Sequence, residues 1–379
     1  MLMLSVLFED IVQLIIEFLN YRDVEATQTA YYEFNREKGT MLGDAWTSIF
    51  RKANVRLNHT IRGAGDIQVS WSCISHLYII HEMPLSNWRC IGETYRPIDK
   101  FVRRGNTLKH VTICHGIDPL MIFELRNMHE LESLTLDGNG TVGLDLLNNF
   151  NEFPYLKHLE LKNFRARDAS LLKKLPKTLV SLSLHQMMDG KMQSPPNLDL
   201  PNLVSLTIHY CSNGNLVTDS LIKSLPDTLE KLSIIGISKL SRGALNSAPS
   251  GLKELEINGH VVSGSLKRIR ELNLTSLSIY HATNLRGFES LPLRRLSLDA
   301  SVIDMRLAKH LKEKFRLCEL QIQESTLDKG VLSIMSEIPS LIIFRCTVRE
   351  DEKGLLKELC SLPKQRIQHY NTYFASVLI

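Results

Sequence analysis

A six-residue pattern, apolar-x-x-apolar-x-apolar, recurs at intervals of 19 to 26 residues and limits the fold of this chain more than any other feature. It runs through Leu108/Val111/Ile113, Leu131/Leu134/Leu136, Leu156/Leu159/Leu161, Leu179/Leu182/Leu184, Leu203/Leu206/Ile208, Leu229/Leu232/Ile234 and Leu252/Leu255/Ile257. Further copies are Leu274/Leu277/Ile279, Leu293/Leu296/Leu298, Leu317/Leu320/Ile322 and a degraded Leu341/Phe344/Cys346. Alternation of the last two apolar residues predicts a short strand, while segments between copies, such as Leu171 to Leu175, Leu221 to Leu225 and Leu355 to Leu359, read as helical. Proline recurs shortly before the strands, as at Pro176, Pro226 and Pro249, where it ends the preceding helix and favours extended backbone. One strand-turn-helix unit cannot bury its apolar face alone, so the units must stack around a shared core.

Composition agrees with a large folded core. The 379 residues are 44% apolar and 23% charged, and 45 basic against 41 acidic side chains leave a formal net charge of +4. That balance is too mild to mark a nucleic-acid binder. Seven cysteines lie far apart, without CxxC pairs, which points to reduced thiols inside a cell. The apolar start, Met1 to Leu19, has no cationic leader and contains Glu9, Asp10 and Glu17, so it reads as neither signal peptide nor membrane span.

The pattern resembles the leucine-rich repeat of the intracellular, cysteine-containing type over roughly residues 74 to 372. Ile74/Leu77/Ile79 is an earlier copy and Ile367/Tyr370/Thr372 a weak last one. The expected fold class is α/β: a curved parallel sheet backed by helices and loops, preceded by a small all-helical module. The domains would be a docking module at 1–55, a solenoid at 56–372 with about 12 to 13 repeats, and an apolar tail at 373–379 that caps the last repeat or returns along the groove.

Before the repeats, Ile11, Leu14, Ile15, Phe18 and Leu19 fall at helical spacing, Asp23 is placed to cap a second helix, and Ala45 to Phe50 reads as a third. So small a unit cannot bury all its large apolar groups, which leaves a surface for a partner. The stretch resembles an F-box: Leu7-Phe8 stands where the family has Leu-Pro, followed by Asp10, Ile11, Ile15, Leu19, Asp23-Val24, Phe34 and Trp46. Ala30-Tyr31 stands where the family usually has Val-Cys. The resemblance implies that Leu7, Phe8, Ile11, Ile15, Leu19, Val24 and Trp46 bury against a Skp-type adaptor, and through it reach cullin and RING subunits. The chain would then be a non-catalytic substrate receptor of an SCF ubiquitin ligase, cytoplasmic or nuclear, acting by proximity. A non-degradative scaffold at chromatin or the cytoskeleton is the alternative. A GTPase activator fits less well, since the longer repeats and acidic tail of the Ran-type activators are missing.

Counting each unit from its first apolar residue, positions three, five, seven and eight should face outward on the sheet. Eight histidines fall there, at 76, 81, 110, 115, 158, 185, 209 and 281, joined by tyrosines at 78, 210 and 280. His110, His158, His185, His209, Tyr210, Tyr280 and His281 are therefore the expected substrate contacts, the imidazoles as hydrogen-bonding groups and the rings as anchors. Glu254, Glu256, Glu319 and Glu324 should make the later part acidic, interrupted by Arg295 and Arg345.

Gly138-Asn139-Gly140-Thr141-Val142-Gly143 matches GxGxxG, but the strand before it belongs to the repeat series, so its glycines are expected to serve a turn rather than a dinucleotide. No GxxxxGK[ST], HExxH or GxSxG is present in the sequence. Short basic tracts such as Lys267 to Arg270 lack stacking aromatics. No enzyme activity, cofactor, metal, nucleic-acid or membrane role is expected.

Overall fold

The computed structural model describes most of residues 109–349 apart from short connecting stretches, together with strands at 54–58, 76–80, 367–370 and 373–374. The residues matched to the F-box, Leu7 to Phe50, lie outside the described residues, as do His81, His115 and the expected helix at 355–359. The chain divides into two compact units, Met1–Ser194 and Pro195–Ile379.

In the first unit six strands lie side by side in sequence order, all parallel: β1 (Asn54–Asn58), β2 (His76–Ile80), β3 (His110–Cys114), β4 (Ser133–Asp137), β5 (His158–Lys162) and β6 (Ser181–His185). The second unit continues the pattern with β7 (Ser205–His209), β8 (Lys231–Ile235), β9 (Glu254–Asn258), β10 (Ser276–Tyr280), β11 (Arg295–Asp299), β12 (Glu319–Gln323), β13 (Ser340–Phe344) and β14 (Ile367–Tyr370). Register stacks equivalent residues: Leu159 sits opposite Leu182, and Leu255 opposite Leu277.

The strands bury their leucines and present the residues between them. Ser181–His185 shows strict alternation, with Leu182 and Leu184 at 0 and 1% exposure. Each such leucine contributes roughly 1.5–3 kcal/mol of transfer free energy. Entry into the strand is set by a turn in which the carbonyls of Pro176, Pro226 and Pro249 accept the N–H of Leu179, Leu229 and Leu252 at 3.1 to 3.4 Å.

Strand exit is equally regular. Position eight adopts a left-handed backbone in Asn163, Gln186, Tyr210, His281, Ala300, Glu324 and Arg345, with φ between 45° and 56°. This turns the chain while the N–H still reaches the next strand, as Asn163 does to the His185 carbonyl at 3.0 Å. Position nine then points inward and is buried in Phe164, Met187, Cys211, Ser301, Ser325 and Cys346. Its polar members close the turn on themselves: Ser301 and Ser325 hydroxyls donate to the carbonyls two residues back at 2.8 and 2.7 Å. Burial pushes the Cys346 thiol up from its ordinary range, and Cys211, also buried, is likewise a free thiol.

The last copies depart from the register expected from sequence. Leu341 pairs with Leu320 and Ile343 with Ile322, so the thirteenth strand belongs to Ile338/Leu341/Ile343 rather than Leu341/Phe344/Cys346. All three are buried, at 7, 1 and 2% exposure, so this copy is not degraded. Ile367 likewise pairs with Leu341, which moves the final copy three residues back from Ile367/Tyr370/Thr372. Tyr373–Phe374, assigned from sequence to the tail, pairs in parallel with Thr347–Val348. An additional strand, Asn54–Asn58, precedes the expected first copy.

Between strands, helices are shorter than the sequence suggests. Leu171 to Leu175 lies largely in a 3-10 turn, Ala169–Lys174, whereas Asp219–Lys223 is a five-residue α-helix. The longest helix described is Met305–Lys314, capped by the Asp304 carboxylate, which accepts the Leu307 N–H at 2.7 Å.

Candidate site on the polar face of the sheet

Because positions three, five and seven alternate with buried leucines, they line the solvent face of each sheet. On the first unit, Glu160 ties three strands together. Thr135 Oγ1 donates to its Oε2 at 3.2 Å, while Lys162 Nζ and His185 Nε2 lie 3.0 and 3.3 Å from its Oε1. His185 is partly buried, and burial holds its pKa below the ordinary imidazole value, with Lys162 adding to that and Glu160 opposing it. His110 is lowered for the same leading reason, desolvation, against the pull of Glu132. His158 is exposed beside them.

On the second unit the corresponding face forms a depression floored by small polar groups, including Ser205, Thr207, Ser276, Ser278 and Ser297, with Glu254, Glu256 and Gln321 among them. A chain of contacts crosses four strands there. His209 Nε2 lies 2.5 Å from Ser233 Oγ, Ser233 donates to Glu256, and Ser278 donates to the other oxygen of Glu256 at 3.3 Å. The hydroxyl lies between imidazole and carboxylate, whereas activation of a serine nucleophile needs the imidazole in the middle, so this chain of contacts braces the face.

The acidity expected of the later repeats is answered in space at Glu254 and Glu324. Lys231 and Arg295 approach the same oxygen of Glu254 at 3.2 and 3.5 Å, and Arg345 lies 3.5 Å from Glu324. Sequence order conceals this because the partners sit 21 to 41 residues apart.

At the strand ends of the second unit, position seven is crowded. Ile235 is 8% exposed and Asp299 4%, although both occupy face positions. The Tyr280 hydroxyl bonds both Asp299 and Tyr210, and burial raises its pKa well above the ordinary phenol range. Tyr210 is 58% exposed, with the His209 ring edge-on at 6.1 Å. His281 is exposed, its Nδ1 lying 3.0 Å from the Ala300 carbonyl oxygen. The expected contacts thus fall into separate groups: His110, His158 and His185 on one unit, and His209, Tyr210, Tyr280 and His281 on the other. Sequence inspection missed Glu160, Ser233 and Asp299, although the repeat register places all three on the face.

Parallel strands with leucine stacked on leucine, a left-handed turn after most of those whose exits are described, and a short second strand decide the architecture. The fold is a leucine-rich repeat stack. No protein family and no curated protein matches the chain. Among solved structures, an internalin from Listeria monocytogenes aligns at 15% identity with a TM-score of 0.44, covering 88% of this chain and 89% of the internalin. The GxGxxG segment belongs to the leucine-rich repeat turn: Gly140, at φ 70°, donates its N–H to the Asn163 carbonyl, and Arg165 Nε donates back to the Gly140 carbonyl at 2.6 Å. Among the described residues, no group of three or more histidines, cysteines and acids is placed to hold a metal ion, and no helix is long and apolar enough to cross a membrane.

Proposed function

We propose that this chain binds a target protein on the polar face of its repeats and presents it to a ubiquitin ligase of the SCF type. The observation that carries the binding half is the face itself: hydroxyls, imidazoles and tyrosines held in register on parallel strands, with carboxylates braced from neighbouring repeats. Such a surface offers many directional contacts on a rigid frame, which suits a folded partner or an extended peptide.

The ligase half rests on the sequence before the repeats. Residues 1–55 are the docking module in this reading, with Leu7, Phe8, Ile11, Ile15, Leu19, Val24 and Trp46 against a Skp-type adaptor; residues 56–372 recognise the target, and the tail caps the stack. The protein works in the cytoplasm or nucleus and contributes position rather than chemistry: a target held near a conjugating enzyme has its lysines at high effective concentration.

Co-expression with the adaptor tests docking. A stable one-to-one complex, lost on Ile15→Asp or Trp46→Ala, is expected; absence of any complex at micromolar concentration would overturn it. Targets captured by the full chain should be ubiquitinated in a reconstituted ligase. Bound but unmodified partners would instead identify a scaffold. Release of captured targets by His185→Ala combined with His209→Ala assigns binding to the sheet face.

A further inference from the structure

Asp299 is a carboxylate whose surroundings do not complete it. It is 4% exposed, Gln323 Nε2 donates to its Oδ2 at 2.9 Å, and the Tyr280 hydroxyl and the Ala300 N–H also act on the carboxyl. Its Oδ1 is buried and has no hydrogen-bond partner among the described residues. The charge that acts on it from its own fold is Glu324, of the same sign, and together with burial it holds the carboxyl above its ordinary range. A buried anion left in this condition costs stability, and folds keep such groups where binding or catalysis uses them.

The other carboxylates of the second unit differ. Glu254 already faces two cations, and Glu256 accepts from two serine hydroxyls. Asp299 alone among these three has a buried oxygen without a partner, and it sits where aromatic rings gather. Tyr280 links it to the exposed Tyr210, and Phe344, at position seven two strands away, already carries the Arg345 guanidinium 4.9 Å from its ring centre.

We propose that Asp299, Tyr280 and Tyr210 form a receptor for one cationic side chain, arginine or lysine, of the bound protein. The cation replaces Tyr210 as the neighbour of Tyr280, reaches Oδ1, and leaves the Tyr210 ring to pack over its apolar stem. Gln323 holds Oδ2, so the carboxyl is already oriented when the cation arrives. This deepens the protein-binding reading and rests on it.

The test uses the full chain with ring-labelled tyrosine, titrated with N-acetyl-arginine amide, N-acetyl-lysine amide and the neutral N-acetyl-citrulline amide. Saturable shifts of the Tyr210 and Tyr280 ring signals are expected with at least one cationic probe in the millimolar range, roughly tenfold weaker with citrulline. The larger of the two cationic responses identifies the side chain. Asp299→Asn should abolish the response without lowering Tm at neutral pH, since it removes an unmatched buried charge. Tyr280→Phe, which keeps the ring and loses the hydroxyl, should weaken it.

No saturable shift with either cation, equal response to citrulline, or an unchanged response in Asp299→Asn overturns the site. Captured targets released by the paired histidine substitution but retained by Asp299→Asn would overturn this inference and leave the protein-binding reading standing.

Discussion

His185 shows how opposing terms are settled at a single residue. Its imidazole is 3.3 Å from a carboxylate that should favour protonation, yet desolvation is the larger effect and Lys162 reinforces it, so the pKa falls below 6.5. The unfolded chain therefore binds this proton more readily than the folded one. Stability is fully present above the unfolded value near 6.5 and is lost as pH falls through it toward the folded value. His110 acts in the same direction and window. Glu132, lowered by its bond from Lys157, contributes stability above 4.5 and loses it only in more acid solution. The expected outcome is a fall in Tm between about pH 7.5 and 5.5 that is shallower in His185→Gln. Parallel pH profiles for the two proteins would show that His185 has no part in it.

The repeat itself governs the next scale. Most described strand exits use a left-handed residue, in most copies a non-glycine side chain at a cost of roughly 1–2 kcal/mol. Gly236 is different: φ is 104°, and a Cβ would lie 3.1 Å from Tyr210 Cα and 3.2 Å from its nitrogen, both backbone atoms of the neighbouring repeat. Gly236→Ala should therefore cost about 1–3 kcal/mol by urea denaturation, and it should also perturb the Tyr210 ring signals. A neutral substitution would mean that the strand ends move apart freely. Spacing makes most strands legible in the sequence, because a two-residue alternation beside a fixed turn leaves one register that buries the leucines. It fails at the last copies, where Leu341, Phe344 and Cys346 mimic the pattern three residues late. Only pairing with Leu320 and Ile322 shows that Ile338 fills the first core position.

In the molecule as a whole, two compact units each have a layered leucine core. Contacts in such stacks run mainly to the adjacent repeat, so damage should spread locally rather than uniformly. Leu182→Ala in the first unit and Leu277→Ala in the second, both sites at most 1% exposed, should each cost about 2–5 kcal/mol. Hydrogen exchange should show loss of protection concentrated in the mutated unit. Uniform loss across both would indicate a single cooperative block.

The repeat, the parallel strands, the leucine core and most of the outward-facing positions follow from the order of amino acids, because each obeys a period that backbone geometry imposes. The tertiary structure decided the meaning of those outward residues. Glu254 is matched by cations from two other strands, Ser233 becomes a link between His209 and Glu256, and Asp299, unremarkable in the sequence, becomes a buried carboxylate with an open oxygen. These properties depend on neighbours about two dozen residues away along the chain but about 5 Å away across the sheet, and burial and charge act through space.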